Sequence, residues 1–468
     1  MALCYNEKDD QPGSDGPATG WSMAAPRWFK NRFSPAQILV FGFAGLILVG
    51  AVLLTLPIAT LDGSGLPVID ALFESTSATC VTGLVVVDTL DTFTAFGQTV
   101  ILLLIQFGGW GIMTLATLVF LFLGKRISLR ERLVMREALN QFTLEGMVRL
   151  TRYVILVSLV IEGVGALLLS IRFVPQFGLA RGAWVSVFHA VSAFCNAGFD
   201  IFGGFRSLTP YISDPLIILT FAGLIILGGL GFAVVADVYR NHRFSRLSLH
   251  SKLALSVTGA LLLLGTVLVY VFERGQTLRG LPLGTQLLAS FFHSVTPRTA
   301  GFNSLDVGSM TDSTLIVTII LMFIGASPGS TGGGIKTTTF GAIALAVLSV
   351  IRGKEEVNVF ERRLPTTVIY RALAIAVISL GLVLVVALAL DATQPFHTFL
   401  PLLFETTSAF GTVGLTTGVT PTLNPIGKLL IIATMFAGRV GPLTLAVALG
   451  QRATRASLRY PEDKVMVG

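Results

Sequence analysis

The chain has 468 residues and a formal net charge of +7; 53% of its residues are hydrophobic and only 13% charged, against about a quarter charged in soluble domains. With a mean hydropathy of +0.78, that composition excludes a soluble globular enzyme and points to a chain solvated mostly by lipid. Its three cysteines, Cys4, Cys80 and Cys195, are scattered and form no Cys-x-x-Cys pair, which excludes a disulfide framework and a structural zinc site.

Residues 1–36 are polar, acidic toward their start and rich in Gly, Pro and Ser. They have neither the basic start nor the early apolar run of a cleavable signal and read as a cytoplasmic N-terminal tail. Apolar runs long enough to cross a bilayer then follow, for example 38–56, 154–169, 253–272 and one that begins at 315 and resumes after a Gly-rich break. Eight spans are expected. They divide the chain into repeat 1 (37–123), a cytoplasmic linker (124–152), repeat 2 (153–239), a linker (240–252), repeat 3 (253–351), a linker (352–371), repeat 4 (372–449) and a C-terminal tail (450–468). Of the 33 basic residues, 24 fall in the tails and linkers, while 61–94 contains no Lys or Arg. The positive-inside rule therefore puts both termini in the cytoplasm, and the net charge needs no nucleic-acid partner.

Four short segments share one pattern: 77–84, 192–199, 296–302 and 408–415 each end in Gly and a large apolar residue, as Gly83-Leu84, Gly198-Phe199, Gly301-Phe302 and Gly414-Leu415. The glycines are 115, 103 and 113 residues apart, a period suited to two spans and a loop. Upstream of each lies an apolar stretch about half as long as a spanning helix (68–78, 184–193, 287–295, 399–409), read as a re-entrant half-helix. A second glycine landmark ends 28, 33, 33 and 27 residues after the first, at Gly111, Gly231, Gly334 and Gly441, so the second span of each unit should bend or pack tightly at one level. The architecture expected is an all-α membrane protein of four concatenated helix, re-entrant loop, helix repeats with pseudo-fourfold symmetry around a central pore.

Non-helical backbone at membrane depth survives only where protein or a wet cavity satisfies it. A filter for a dehydrated monovalent cation needs inward carbonyls, with glycine to relieve the backbone. Val81, Thr82 and Gly83, Asn196, Ala197 and Gly198, Thr299, Ala300 and Gly301, and Thr412, Val413 and Gly414 are the candidates for that filter, which would hold potassium by backbone carbonyls alone. The half-helices would turn their negative C-terminal ends toward the ion. Any single copy is ordinary turn chemistry. Four copies in one chain are not. All units share one orientation, whereas a carrier built from inverted repeats and working by alternating access, sodium-coupled or not, would have halves of opposite topology. That carrier is the alternative reading.

The ten residues 325–334 contain five glycines and Pro328 inside otherwise apolar sequence, and cannot hold a regular helix, at about 1 kcal/mol per Gly and 3 for Pro. This segment, with Gly325, Ser327, Gly329, Ser330, Thr331, Gly332, Gly333 and Gly334, is expected to form an intramembrane gate below the filter. A charge within the membrane costs roughly 2.5 to 3.5 kcal/mol even on the milder scale, which marks Arg439 as the loop's partner and Lys336 as a residue of the gate or of the interface. The run from Gly329 to Thr337 has one residue too many before Lys336 for a phosphate-binding loop, so nucleotide control would come from another subunit. Glu74, Glu405, His189 and His293, eight or nine residues before their glycines, are expected to hydrogen-bond filter backbone; Arg298 is expected to brace the filter by pairing with a carboxylate, and Glu162 to bond a neighbouring helix. No Ser/His/Asp set or paired carboxylates at a cleft can be assembled, so no catalysis is expected.

These segments, together with 325–336, 438–444 and the tail 460–468, resemble the Trk/Ktr/HKT superfamily of potassium transporters, specifically its KtrB branch, over nearly the whole chain after residue 36. Where plant relatives carry Ser at the first filter position, which admits sodium, this chain has Gly83. The resemblance implies potassium uptake at a bacterial cytoplasmic membrane by a multi-pass homodimer docked on a cytoplasmic KtrA-like ring of nucleotide-binding regulatory subunits. It implies no cofactor in this chain, and it admits sodium as an activator.

Overall fold

The computed structural model describes residues 35–111, 147–441 and 444. The expected N-terminal tail as far as residue 34, the end of repeat 1 with most of the linker at 124–152, and the tail at 450–468 lie outside the described residues.

The first unit comprises α1 (Pro35–Leu54), α2 (Val68–Cys80) and α3 (Ala95–Trp110); the second comprises α4 (Met147–Phe177), α5 (Leu179–Phe194), α6 (Pro215–Leu230) and α7 (Phe232–Asn241). The third is α8 (Leu249–Glu273), α9 (Leu283–Val295), α10 (Asp312–Phe323) and α11 (Thr337–Ile351), and the fourth α12 (Thr366–Thr393), α13 (Phe399–Gly411) and α14 (Pro425–Val440). Among the described residues α1, α4, α8 and α12 are long and apolar enough to cross a membrane singly, and α6 with α7 forms a fifth candidate, bent by 97°. Among the described residues the chain is mostly helical, with one exception to the all-α expectation: an antiparallel hairpin, β1 (Asn358–Val359) and β2 (Arg362–Arg363).

Local chemistry sets the starts. Each helix that follows a half-helix begins at a polar cap, Thr94, Asp214, Thr311 or Asn424, whose side chain accepts an amide of the first turn. Two of these helices also have Pro at the first position. Ser248 caps α8 and Pro365 precedes α12, so both helices begin inside the linkers expected at 240–252 and 352–371.

The short helices α2, α5, α9 and α13 are the protein's interior. Phe73, Phe188, Phe292 and Phe404, nine or ten residues before their glycines, have no exposed surface. Each half-helix packs on its own unit and on the second helix of the preceding one: α5 on α3, α9 on α6, α13 on α10, and α2 on α14. The last contact closes the order into a cycle. It is fastened by Lys428 Nζ and Asp70 Oδ1 at 2.5 Å, with side chains only 15% and 17% exposed.

That pair ties the last unit to the first. Asp70→Asn or Lys428→Met should lower thermal stability in detergent by roughly 2 kcal/mol, the worth of a hydrogen bond between charged groups, and the charge-swapped double variant should regain part of it. Melting temperatures unchanged in both single variants would mean that the cycle closes without the ion pair.

Candidate functional site

The four glycine segments meet in the order of the chain. A Cβ built on Gly83 would collide with the Ala197 carbonyl oxygen, and one on Gly198 would stand 2.8 Å from that of Ala300; one on Gly301 would collide with that of Val413, and one on Gly414 with that of Thr82. Each glycine thus faces the carbonyl that precedes the next glycine, and the fourth faces the first. φ is positive at Val81 (58°), Asn196 (59°), Thr299 (74°) and Thr412 (51°), and again at Gly83 (90°), Gly198 (74°), Gly301 (80°) and Gly414 (95°), but not at the residues between them. Alternating the hand of φ aligns successive peptide groups instead of reversing them. The ring glycines are then required twice, by φ and by the neighbouring carbonyl.

The amides of the segments are spent backward. Ser77 O accepts from Thr82 N (2.8 Å), Ser192 O from Ala197 N (2.7 Å) and Ser408 O from Val413 N (2.9 Å). Ser77 Oγ accepts from Gly83 N at 3.0 Å and Ser408 Oγ from Gly414 N at 3.1 Å. The third unit has Val295 at this position, and Thr296 O accepts from Ala300 N at 3.0 Å instead. With their N–H groups tied to their own half-helices, the segments keep their carbonyls for the opposite side.

In the first and second units the backbone just beyond the glycine is held from behind. Glu74 Oε1 accepts from Val86 N (2.8 Å) and Val87 N (3.3 Å), and His189 Nε2 accepts from Ile201 N at 3.2 Å while its ring stacks on Phe202. Glu405 and His293 differ from the expected bond to filter backbone: Glu405 accepts from the hydroxyls of Thr416 and Thr420, and His293 Nε2 lies 3.1 Å from Thr318 Oγ1 on α10. Arg298 departs from expectation: among the described residues it meets no carboxylate. Its guanidinium bonds Thr258 Oγ1 on α8 at 3.3 Å, beside a small cavity lined by Ile225, Ile226 and Val295; the side chain runs away from the ring, toward α6 and α8. Glu162 Oε1 accepts from Gln106 Nε2 on α3 at 3.0 Å, bonding a neighbouring helix as expected.

The second glycine landmark serves close packing. Gly108, Gly228 and Gly438 lie against the last half-helix carbonyls, those of Thr79, Phe194 and Phe410, where a Cβ would collide. Each of these carbonyls sits four residues before its ring glycine. The sequence marks the glycine landmark but not the carbonyl it packs against. The last landmark glycines Gly111, Gly231 and Gly441 then end α3, α6 and α14 with φ of 80°, 90° and 91°.

In the third unit the helix stops at Phe323 and resumes at Thr337. The loop between binds the bend of α6 and α7: Ser327 N donates to Gly229 O (2.9 Å), Thr331 N to Gly228 O (3.3 Å), and Phe232 N to Gly329 O (3.0 Å). Ser327 Oγ and Thr337 Oγ1 are 2.9 Å apart, and Ser330 Oγ donates to Ser327 O at 2.6 Å. Gly325 faces Gly333 and Gly334 across the loop's neck. Arg439 on α14 donates to Thr331 O and to Gly108 O, joining the loop to the first and fourth units. Lys336 Nζ donates to Gly332 O at 2.7 Å, a bond to the loop itself.

A family model described as cation transport protein, TrkH, matches residues 37–455. The chain belongs to that family. It is 48% identical over 439 residues to the Ktr system potassium uptake protein B of Bacillus subtilis, covering 93% of this chain and 97% of the relative. It is also 43% identical to the potassium/sodium uptake protein NtpJ of Enterococcus hirae, covering 94% and 98%. The crystal structure of the potassium transporter TrkH from Vibrio parahaemolyticus shares the fold, with a TM-score of 0.70 at 20% identity over 90% of this chain and 88% of that one. Membership agrees with the sequence reading that the chain is a transporter and not an enzyme.

The carbonyl contacts of this TrkH-family chain make a graded test possible. Gly228→Ala and Gly438→Ala should each cost about 1 to 3 kcal/mol through overpacking, whereas Gly223→Ala on α6, where a Cβ meets nothing within 4 Å, should be neutral or stabilising. Thermal unfolding in detergent reads this; equal stability for Gly228→Ala and Gly223→Ala would rule out the close carbonyl approach.

Proposed function

We propose that this chain is the pore-forming subunit of a Ktr-type potassium uptake system, with eight spans in four repeats around one axis and conduction through the ring of glycine segments. One observation carries the reading: four segments of alternating φ, their amides turned back to their half-helices, close into a cycle. Carbonyls freed in that way replace the water of a dehydrated cation, and the half-helix C-termini favour positive charge beside them. The names of the two relatives, potassium uptake and potassium/sodium uptake, support potassium as the transported ion and keep sodium as an activator. Glu74, His189 and Glu405 fix the segments' outer continuation. The cyclic order, with each unit packed alike on the one before, favours a channel-like path over an alternating-access carrier.

The loop at 325–334, pinned by Arg439 and Lys336, is the gate. It is regulated by cytoplasmic nucleotide-binding subunits docked on a homodimer in the bacterial inner membrane, with both termini inside and no cofactor or nucleotide in this chain. The relative from Bacillus subtilis is named as one protein of a Ktr system, and a system of several proteins supports partners of this kind. Expression in a cell deficient in potassium uptake, with and without a regulatory subunit, tests the whole: growth at low potassium should return, more strongly with the regulator. Failure to restore uptake by a chain that reaches the membrane in both settings would contradict the reading.

Gly83→Ser places a Cβ at φ 90° against the Ala197 carbonyl. It should reduce discrimination against sodium more than it reduces membrane expression; paired sodium and potassium uptake checks it, and unchanged selectivity in Ser variants of all four glycines would remove the ring from selection. Arg439→Ala, or deletion of residues 327–332, should raise potassium flux and lessen its dependence on the regulator. Folded variants that conduct no faster than the parent without the regulator would leave the loop a packing feature.

A further inference from the structure

The loop does more than lie near the ring. Two residues before each ring glycine stand Val81, Asn196, Thr299 and Thr412, all fully buried. Gly333 N donates to Thr412 Oγ1 at 3.1 Å. A Cβ on Gly332 would run into Thr299 Oγ1, and one on Gly229, beside the loop, would stand 3.2 Å from the Asn196 amide. With its amide nitrogen donating to Ala193 O (3.1 Å) and Ile225 O (3.2 Å), the Asn196 side chain turns its oxygen to Thr299 Oγ1, from which it accepts at 3.2 Å. Three oxygen-bearing side chains, from the second, third and fourth units, therefore gather at the loop's end of the ring. The first unit contributes only Val81, and the next position in those three units is Ala197, Ala300 or Val413, with no polar side-chain atom.

We propose that the side-chain oxygens of Asn196, Thr299 and Thr412 form a subsite for a dehydrated monovalent cation at the loop's end of the ring, and that the Gly333 amide competes with the cation for Thr412 Oγ1. This rests on the reading of the ring as a potassium filter. A hydroxyl oxygen has two acceptor positions, and with the loop docked one of them on Thr412 is filled by an N–H, whose positive end points at the oxygen a cation would need. Docking of the loop and occupancy of the subsite then oppose each other. By linkage the opposition is reciprocal: a cation in the subsite loosens the loop by the same factor as the docked loop weakens the cation. Thr299 lacks the competing amide, so it holds the cation without latching the loop.

Barium, a divalent ion of potassium's size, is the probe: it lodges where oxygens replace water and blocks there. Potassium flux through the full chain in proteoliposomes is measured without regulator, with barium on both sides. Thr412→Val, which keeps the shape and removes the oxygen, should raise unregulated flux and also raise the barium concentration for half-block by about tenfold or more, the worth of one good ligand interaction. Thr412→Ser, which keeps the hydroxyl, should bring barium block back toward that of the parent. Thr299→Val should also weaken barium block, and it keeps the test open if Thr412→Val does not fold. Barium block unchanged in both valine variants would overturn the subsite; weaker block in Thr412→Val with no rise in flux would overturn the competition. A parent that folds and passes no potassium would overturn the pore reading and the subsite with it, a result distinct from either.

Discussion

Backbone polar groups inside a bilayer have no water to turn to, so every departure from helix must find hydrogen bonds within the protein. This chain departs from helix at each ring segment, at the bend of α6 into α7, and over the loop between α10 and α11, and these departures satisfy one another. The loop's amides at Ser327 and Thr331 go to the carbonyls of Gly229 and Gly228 freed near the bend, and the bend's amide at Phe232 goes to Gly329. The ring's amides go to half-helix termini. What remains over is carbonyl, and carbonyl is what a cation binds. The architecture thus follows from one constraint: irregular backbone can exist at this depth only as a mutually bonded set, and that set has an excess of acceptors.

Much of this was legible in the sequence because it depends on residue types with sharp physical meaning. The four ring glycines stood out by recurrence, and their positive φ together with the carbonyl each one faces explains why a side chain is excluded there. The half-helices were visible as apolar stretches too short to span, and the loop as a glycine density no helix tolerates. Arg439 was legible as a costly charge in an apolar run, and its bond to Thr331 O lies where the loop was expected to receive it. Contacts between distant segments were not legible. Nothing in the sequence pairs Gly333 with Thr412, or Gly228 with the Phe194 carbonyl, because a glycine chosen for close approach looks the same as one chosen for conformation. Arg298 was misjudged for a related reason: its nearness to Gly301 in sequence suggested a brace, while χ freedom carries its guanidinium to Thr258 on α8.

The third unit is the odd one. It has Val295 where the other three segments have the anchoring serine, and its second helix is interrupted between Phe323 and Thr337, the two sides of the break being joined by the bridge between Ile324 and Ile335 and by Thr337 N donating to Ala326 O at 3.2 Å. Among the described residues the second unit bends its second helix, while the third gives up helix for a loop. Arg439 joins that loop to the first unit: one guanidinium holds Gly108 O of the first unit and Thr331 O of the loop, so displacing the loop must break a bond that also steadies the ring's surroundings.

The central claim is that the carbonyls preceding the ring glycines hold a dehydrated cation, and locating the ion tests it most directly. Crystals of the protein grown in rubidium and measured at the rubidium absorption edge should give anomalous density on the axis among the carbonyls of Thr82, Ala197, Ala300 and Val413. Density confined to sites outside the ring, with none between those four oxygens, would contradict the account.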